Sequence, residues 1–368
     1  MSDGRNINSS LGSLSGEGSQ QQGDAAVVPS KVMVTTGYGI PGNRTYYDHP
    51  VIKKSVWSWD IPAYYYVGGA TGTAMALGAA ATLLNREELS GLILRSRLIA
   101  VAGSTISAYF LIHDLGRPER FLNMMRVFRP TSPMSVGAWI LTFFSTTGGF
   151  AAVAEFGPRW ARGLGDAAAV VSGLFGLGLA GYTGVLVAHT TVPVWQRPHR
   201  LMPALFLSSG VTGAASLFDL LGGNEMEQRA VAIFGTAGKL AELGFAHFME
   251  QHVATVPEAA RPLEEGITGL LWKSAKVLTA ASLVLSMVPH AGRRVRRVAG
   301  VLGTLGSLCV RFGVHYAGQS SAMNPRASFQ QQRSGQGAFE VTGRAAVAGP
   351  GDTRAFSEPE TNGIRKPL

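Results

Sequence analysis

The chain has 368 residues, 46% of them hydrophobic and only 15% charged, with a mean hydropathy of +0.16. That composition excludes an ordinary soluble enzyme and makes the bilayer the solvent for most of the chain. The net charge of +9 comes from basic residues in short clusters between apolar runs, which suits lipid headgroups rather than nucleic acid. The single cysteine, Cys309, excludes an internal disulfide and any cysteine-held iron–sulfur cluster or zinc site within the chain.

In chain order, residues 1–45 are rich in Ser, Gly, Gln and Asp without periodicity and are expected to form a disordered tail. Eight apolar runs follow: Ile61–Leu84, Ser90–Ile112, Met134–Phe156, Asp166–His189, Leu201–Leu221, Ala230–Met249, Ile267–Val288 and Val298–Ala317. Each is about 20 residues, enough to cross about 30 Å of hydrocarbon as a helix. Residues 319–368 are again polar and are expected to be loose.

The expectation is an all-α integral membrane protein of about eight transmembrane helices in two four-helix bundles, with disordered polar tails and a membrane domain over 46–318. An even number of spans puts both termini on one side. Basic loop residues do not orient the chain, because nine fall on the terminus side and ten on the other. Trp57, Trp59, Tyr64, Tyr65, Tyr66 and Trp195 lie near span ends on the terminus side, as an interfacial aromatic belt would. The 47 glycines read as surfaces where helix backbones approach closely.

The densest polar chemistry lies in Ile112-His113-Asp114-Leu115-Gly116-Arg117-Pro118-Glu119-Arg120-Phe121, closing the second span, and in Arg129-Pro130-Thr131-Ser132-Pro133, opening the third. Two readings of Asp114 are open. It pairs with Arg117 or Arg120 to close a helix end, or it is a proton-handling carboxylate whose burial moves its proton affinity toward a useful range. Within the later spans, Glu242 with Lys239 or Arg311 reads as a structural ion pair or as part of a proton path. Gly176-Leu177-Gly178-Leu179-Ala180-Gly181 fits a dinucleotide fingerprint, but it lies inside an apolar span with no preceding strand. Its glycines read as helix-packing residues.

The run Trp57-Ser58-Trp59-Asp60-Ile61-Pro62-Ala63-Tyr64-Tyr65-Tyr66, the HDLGRPERF segment from His113, the RPTSPMSVGAW segment from Arg129, and Gly181-Tyr182-Thr183-Gly184 leading to Pro193-Val194-Trp195 occur in an order that resembles the NrfD/PsrC family of quinone-interacting membrane subunits. The resemblance spans roughly Tyr46 to Ala317.

It implies a multi-pass subunit of the cell's inner or plasma membrane, without a catalytic centre of its own. Such a subunit binds menaquinone or ubiquinone, holds no metal or haem, and exchanges electrons with a four-cluster ferredoxin-like iron–sulfur subunit. That partner in turn serves a molybdopterin catalytic subunit.

It further implies that Tyr182 hydrogen-bonds the quinone, with Asp114 as the acidic residue beside it; these two are the candidate catalytic residues. Tyr64 falls where the polysulfide reductase subunit has a quinone-contacting histidine, and Ile61 where it has an asparagine. Asp60 or His113 could supply the missing polar contact. For Tyr182 the competing reading is a packing aromatic, and for Tyr64 an interfacial belt residue.

The function expected is a membrane anchor of a respiratory oxidoreductase complex, with coupled proton movement left open. The alternatives are a haem b anchor, which needs paired histidines on facing helices, and a secondary transporter, which needs repeats or broken helices. His113, His189, His247 and His315 mostly lie near span ends, and no inverted repeat is evident.

Overall fold

The computed structural model describes residues 6–8, 13–15, 50–288 and 292–333. Most of both tails expected to be disordered, residues 16–49 and 334–368, lies outside the described residues. A short antiparallel pairing of Asn6–Asn8 with Ser13–Ser15 is the only β structure among those described.

The long helices are α1 (Asp60–Leu84), α2 (Ser90–Asp114), α3 (Pro133–Ala154), α4 (Arg159–Ala188), α6 (Met202–Leu221), α7 (Glu225–Ala254), α9 (Gly266–Ser286) and α10 (Arg293–Ala322). Between them lie a 3-10 helix at Pro118–Met125 and the short helices α5 (Pro193–Gln196) and α8 (Pro257–Glu264), with α11 (Pro325–Arg333) after the last. Each expected apolar run is therefore a helix.

Among the described residues, six helices are long and apolar enough to cross a membrane. The other two, α7 and α9, carry ionisable groups that lower their apolarity, among them Lys239, Glu242, Lys273 and Lys276. Outward-facing residues such as Leu174, Ile233, Leu270 and Val277 are exposed and apolar, the surface a helical bundle offers to lipid.

Local sequence explains where the helices begin and end. Ser132 caps α3 by accepting the Ser135 amide at 3.4 Å, with Pro133 at the first helical position. Asn224 and Glu227 form a reciprocal capping box at the start of α7. Gly222, at φ +78°, closes α6 in the left-handed region that a side chain disfavours.

The helices pack as two groups of four. In the first, α1 packs on α2 and α4, and α3 packs on α4 and α2; in the second, α6 packs on α7 and α10, and α9 packs on α10 and α7. Contacts of α1 with α6 and α10 join the groups. At Gly72 and Gly176 the α1 and α4 backbones touch, and a Cβ on either glycine would collide with the other's carbonyl.

At the opposite end of α2 from His113 and Asp114, Arg97 is fully buried and donates to Glu155 Oε2 at 2.5 Å, Ala151 O at 3.0 Å and Asp166 Oδ1 at 2.6 Å. Arg86 joins both acids, so α2, α3 and α4 are tied at that end of the first group.

The last long helix runs past residue 318 to Ala322. The following α11 is fixed by Asn324 Nδ2 donating to Glu258 Oε2 at 3.0 Å and by the Glu258 amide donating to Gln330 Oε1 at 3.2 Å.

Candidate functional site

The start of α1, the end of α2, the start of α3 and the C-terminal part of α4 meet at one end of the first helix group. Four of the five sequence-predicted site residues come together there in two bonded pairs, and the fifth reaches the same cluster through a serine.

The first pair is Tyr64 and Tyr182, whose hydroxyl oxygens are 2.5 Å apart. The two phenols come from α1 and α4, which the glycine contact holds close about two turns deeper. Tyr64 is buried, not part of an interfacial belt, and so are Tyr65 and Trp195; Trp59, at 54% exposure, is the residue of that set that fits the belt reading. The Tyr182 ring packs in a cluster with Leu111, Ile140, Phe144 and Leu179. Gly137 on α3 lies directly against that ring, leaving no room for a Cβ.

The second pair is Asp60 and His113. Asp60, in the first turn of α1 where the helix dipole favours an anion, has Oδ2 at 3.0 Å from His113 Nδ1. Asp114 joins them through Ser58, whose amide donates to Asp114 Oδ1 at 3.0 Å and whose hydroxyl lies 2.9 Å from the same oxygen and 2.5 Å from Asp60 Oδ2. Among the described residues Asp114 has no ion-pair partner, so the Arg117 reading of this carboxylate is not realised; the Arg120 side chain lies outside them.

A serine hydroxyl has one proton, yet two carboxyl groups face this one. Asp60, Ser58 and Asp114 thus form one hydrogen-bonded group, and His113, whose side chain is 56% exposed, connects it to the surface.

Sequence reasoning missed three residues. Ser58 bridges the acids. Tyr65 is fully buried with a hydroxyl that has no partner among the described residues. Trp195 donates Nε1–H to Val314 O at 2.7 Å and stacks on Trp57 at 6.0 Å, pinning the segment before α1 to the second helix group. The triple tyrosine at 64–66 carried the only signal for Tyr65, since hydropathy does not distinguish a belt tyrosine from a buried one.

Among the described residues Glu242 forms an ion pair with neither Lys239 nor Arg311, whereas Lys276 pairs with Glu250. Lys239 donates to Ser286 Oγ at 2.6 Å, and Glu242 accepts from Thr279 at 3.0 Å. Of the candidate histidines, His113 meets Asp60, His247 meets Gln251 and His315 meets Gln319.

A profile of the family described as polysulphide reductase, NrfD, matches residues 50–322. The protein is also similar to the C subunit of polysulfide reductase from Wolinella succinogenes, with 25% identity over 318 residues, covering 72% of this sequence and 95% of that protein. The family match begins just before Trp57 and ends with α10, enclosing both bonded pairs and both helix groups. With its membrane-length helices, the chain is a multi-pass membrane protein that belongs to the NrfD family.

Proposed function

We propose that this chain is the quinone-reactive membrane subunit of a respiratory oxidoreductase complex, passing electrons between a lipid-soluble quinone and an iron–sulfur partner. The observation that carries the reading is the buried Tyr64–Tyr182 hydroxyl pair beside the Tyr65 hydroxyl, which has no partner among the described residues.

The residues fit the group. Two phenols that share one hydrogen bond use one of their two protons, so the other is free to donate to a carbonyl oxygen. A buried hydroxyl without a partner costs about 1–3 kcal/mol, a cost that such an oxygen would remove at Tyr65. The side chains packed round Tyr182 are apolar, as the lining of a quinone-ring site would be.

Quinol oxidation supplies two electrons and two protons. In this chain the tyrosine hydroxyls orient the oxygens, and the packed Tyr182 ring fixes the plane in which they point. On this reading Asp114 takes up a proton leaving the site. Ser58 passes it on by accepting one proton while giving its own to Asp60, and His113 takes it from Asp60 to the surface. Electrons leave to a partner, because one cysteine cannot hold a four-cysteine cluster. A four-cluster ferredoxin-like subunit and a molybdopterin catalytic subunit are the partners this reading takes from the family resemblance. Neither menaquinone nor ubiquinone is favoured by the contacts.

The test is the complex isolated through a tag on this chain. It should carry extractable quinone, and its quinol-dependent electron transfer should be blocked by quinone-site inhibitors. A complex with neither property would end the reading.

A further inference from the structure

The end of the bundle opposite the tyrosine pair holds a cavity of about 260 Å³. It lies between the end of α6 and the starts of α2, α7 and α10, where the two helix groups meet. Its charged lining is Arg95, Arg293 and Arg296 against Asp219 and Glu227.

The acids do not balance the arginines. Glu227 is already committed: its Oε2 accepts from Arg95 Nη2 at 2.6 Å and from the Asn224 amide at 2.9 Å, and its Oε1 accepts from the Leu92 amide at 2.6 Å. Asp219 can neutralise only one of Arg293 and Arg296, which leaves one guanidinium in excess within the cavity. Arg294 and Arg297 stand beside them, both exposed, and the first turn of α10 contains no acidic residue. Arg293, Arg294 and Arg297 have no ion-pair partner among the described residues. Like charges three and four positions apart on a helix repel, so an anion at this place would relieve the cluster.

The neighbouring surface selects the kind of anion. Arg294, Arg297, Val298, Val301 and Leu305 succeed one another at helical spacing on the exposed side of α10, with the arginines at its start and the apolar residues following them into the membrane. Leu221, at the end of α6, and Met226, in the first turn of α7, adjoin lining residues and are likewise exposed. A small soluble anion would use the guanidinium groups alone. A phospholipid uses both surfaces: guanidinium forks bind phosphate oxygens through paired N–H bonds, and acyl chains lie on the apolar side chains below.

We propose that this cavity binds the phosphate headgroup of an anionic phospholipid. Arg293 and Arg296 hold the phosphate, and the acyl chains run along the outer stripe of α10. The lipid then bridges α2 of the first helix group to α6, α7 and α10 of the second, beside the Arg95–Glu227 pair that crosses the same joint. The site is independent of the quinone reading.

Two measurements test it. The tagged complex, washed in detergent until its lipid is depleted, should gain several degrees in thermal midpoint with added phosphatidylglycerol, and none with phosphatidylcholine or inorganic phosphate. Arg293→Gln should need about tenfold more phosphatidylglycerol for the same gain, the worth of a charge-assisted contact. Arg159→Gln, which changes an exposed arginine at the start of α4, should respond as the wild type does. An equal gain with phosphatidylcholine, a gain with inorganic phosphate alone, or an unaltered response in Arg293→Gln overturns the proposal.

The second measurement needs no variant. An experimental structure of the wild-type complex in lipid nanodiscs containing phosphatidylglycerol should place a lipid phosphate within hydrogen-bonding distance of the Arg293 or Arg296 guanidinium. A segment of a partner subunit in the cavity, or water alone, overturns the proposal whatever the quinone site shows.

Discussion

The hydroxyls of Tyr64 and Tyr182 lie 2.5 Å apart although 118 positions separate them in the chain. Each is the other's only hydrogen-bond partner among the described residues, so together they present one unused proton at the end of the first helix group.

Changing Tyr182 to Phe should slow quinol-dependent electron transfer by about two- to thirteenfold, the worth of one hydrogen bond of about 0.5–1.5 kcal/mol. The complex should still assemble, because the ring and its packing remain. Steady-state rates on the purified complex check this, and unchanged turnover in Tyr182→Phe and Tyr64→Phe together would remove the pair from the site.

Ser58→Ala removes the hydroxyl between Asp60 and Asp114 but keeps the amide that donates to Asp114 at 3.0 Å. Turnover should fall while bound quinone stays constant, and Ser58→Thr, which restores a hydroxyl, should recover most of the rate. Equal rates in the Ala and Thr variants would show that the hydroxyl plays no part in proton transfer.

The glycine run in α4 separates packing from spacing. A Cβ at Gly176 meets the Gly72 carbonyl, whereas one at Gly178 meets only Ile140, at 3.7 Å. Gly176→Ala should therefore lower the midpoint of thermal unfolding in detergent. Gly178→Ala should leave it unchanged or raise it, since alanine in a helix is favoured over glycine by about 1 kcal/mol. Equal effects at the two positions would contradict the close approach of α1 and α4.

Arg97→Gln breaks a buried network of two arginines and two acids. It leaves Glu155 and Asp166, which are 22% and 25% exposed, with Arg86 as their remaining counter-ion, so the cost should be smaller than the roughly 3–5 kcal/mol of a fully buried pair that loses one partner. The expected outcome is poor membrane accumulation and a clear drop in thermal midpoint; a midpoint within about a degree of the wild type would argue that the network is solvated.

Hydropathy alone determined that this protein lives in a membrane and where its long helices fall, because the need to bury backbone polar groups in lipid acts on each run of residues by itself. The order of the tryptophan–tyrosine, HDLGRPERF and Gly-Tyr-Thr-Gly segments likewise marked the family and the end of the bundle that holds Asp114 and Tyr182. Partners were decided only in three dimensions. Asp114 goes to Ser58, with no ion pair to the nearby Arg117, Tyr64 leaves the belt to meet Tyr182, and Lys239 and Glu242 bond to Ser286 and Thr279 instead of pairing with each other. The reason is that each choice depends on how helices distant in sequence are rotated and spaced, as where Gly72, Gly176 and Gly137 bring α1, α3 and α4 together around the tyrosine pair through contacts that no single stretch of sequence contains.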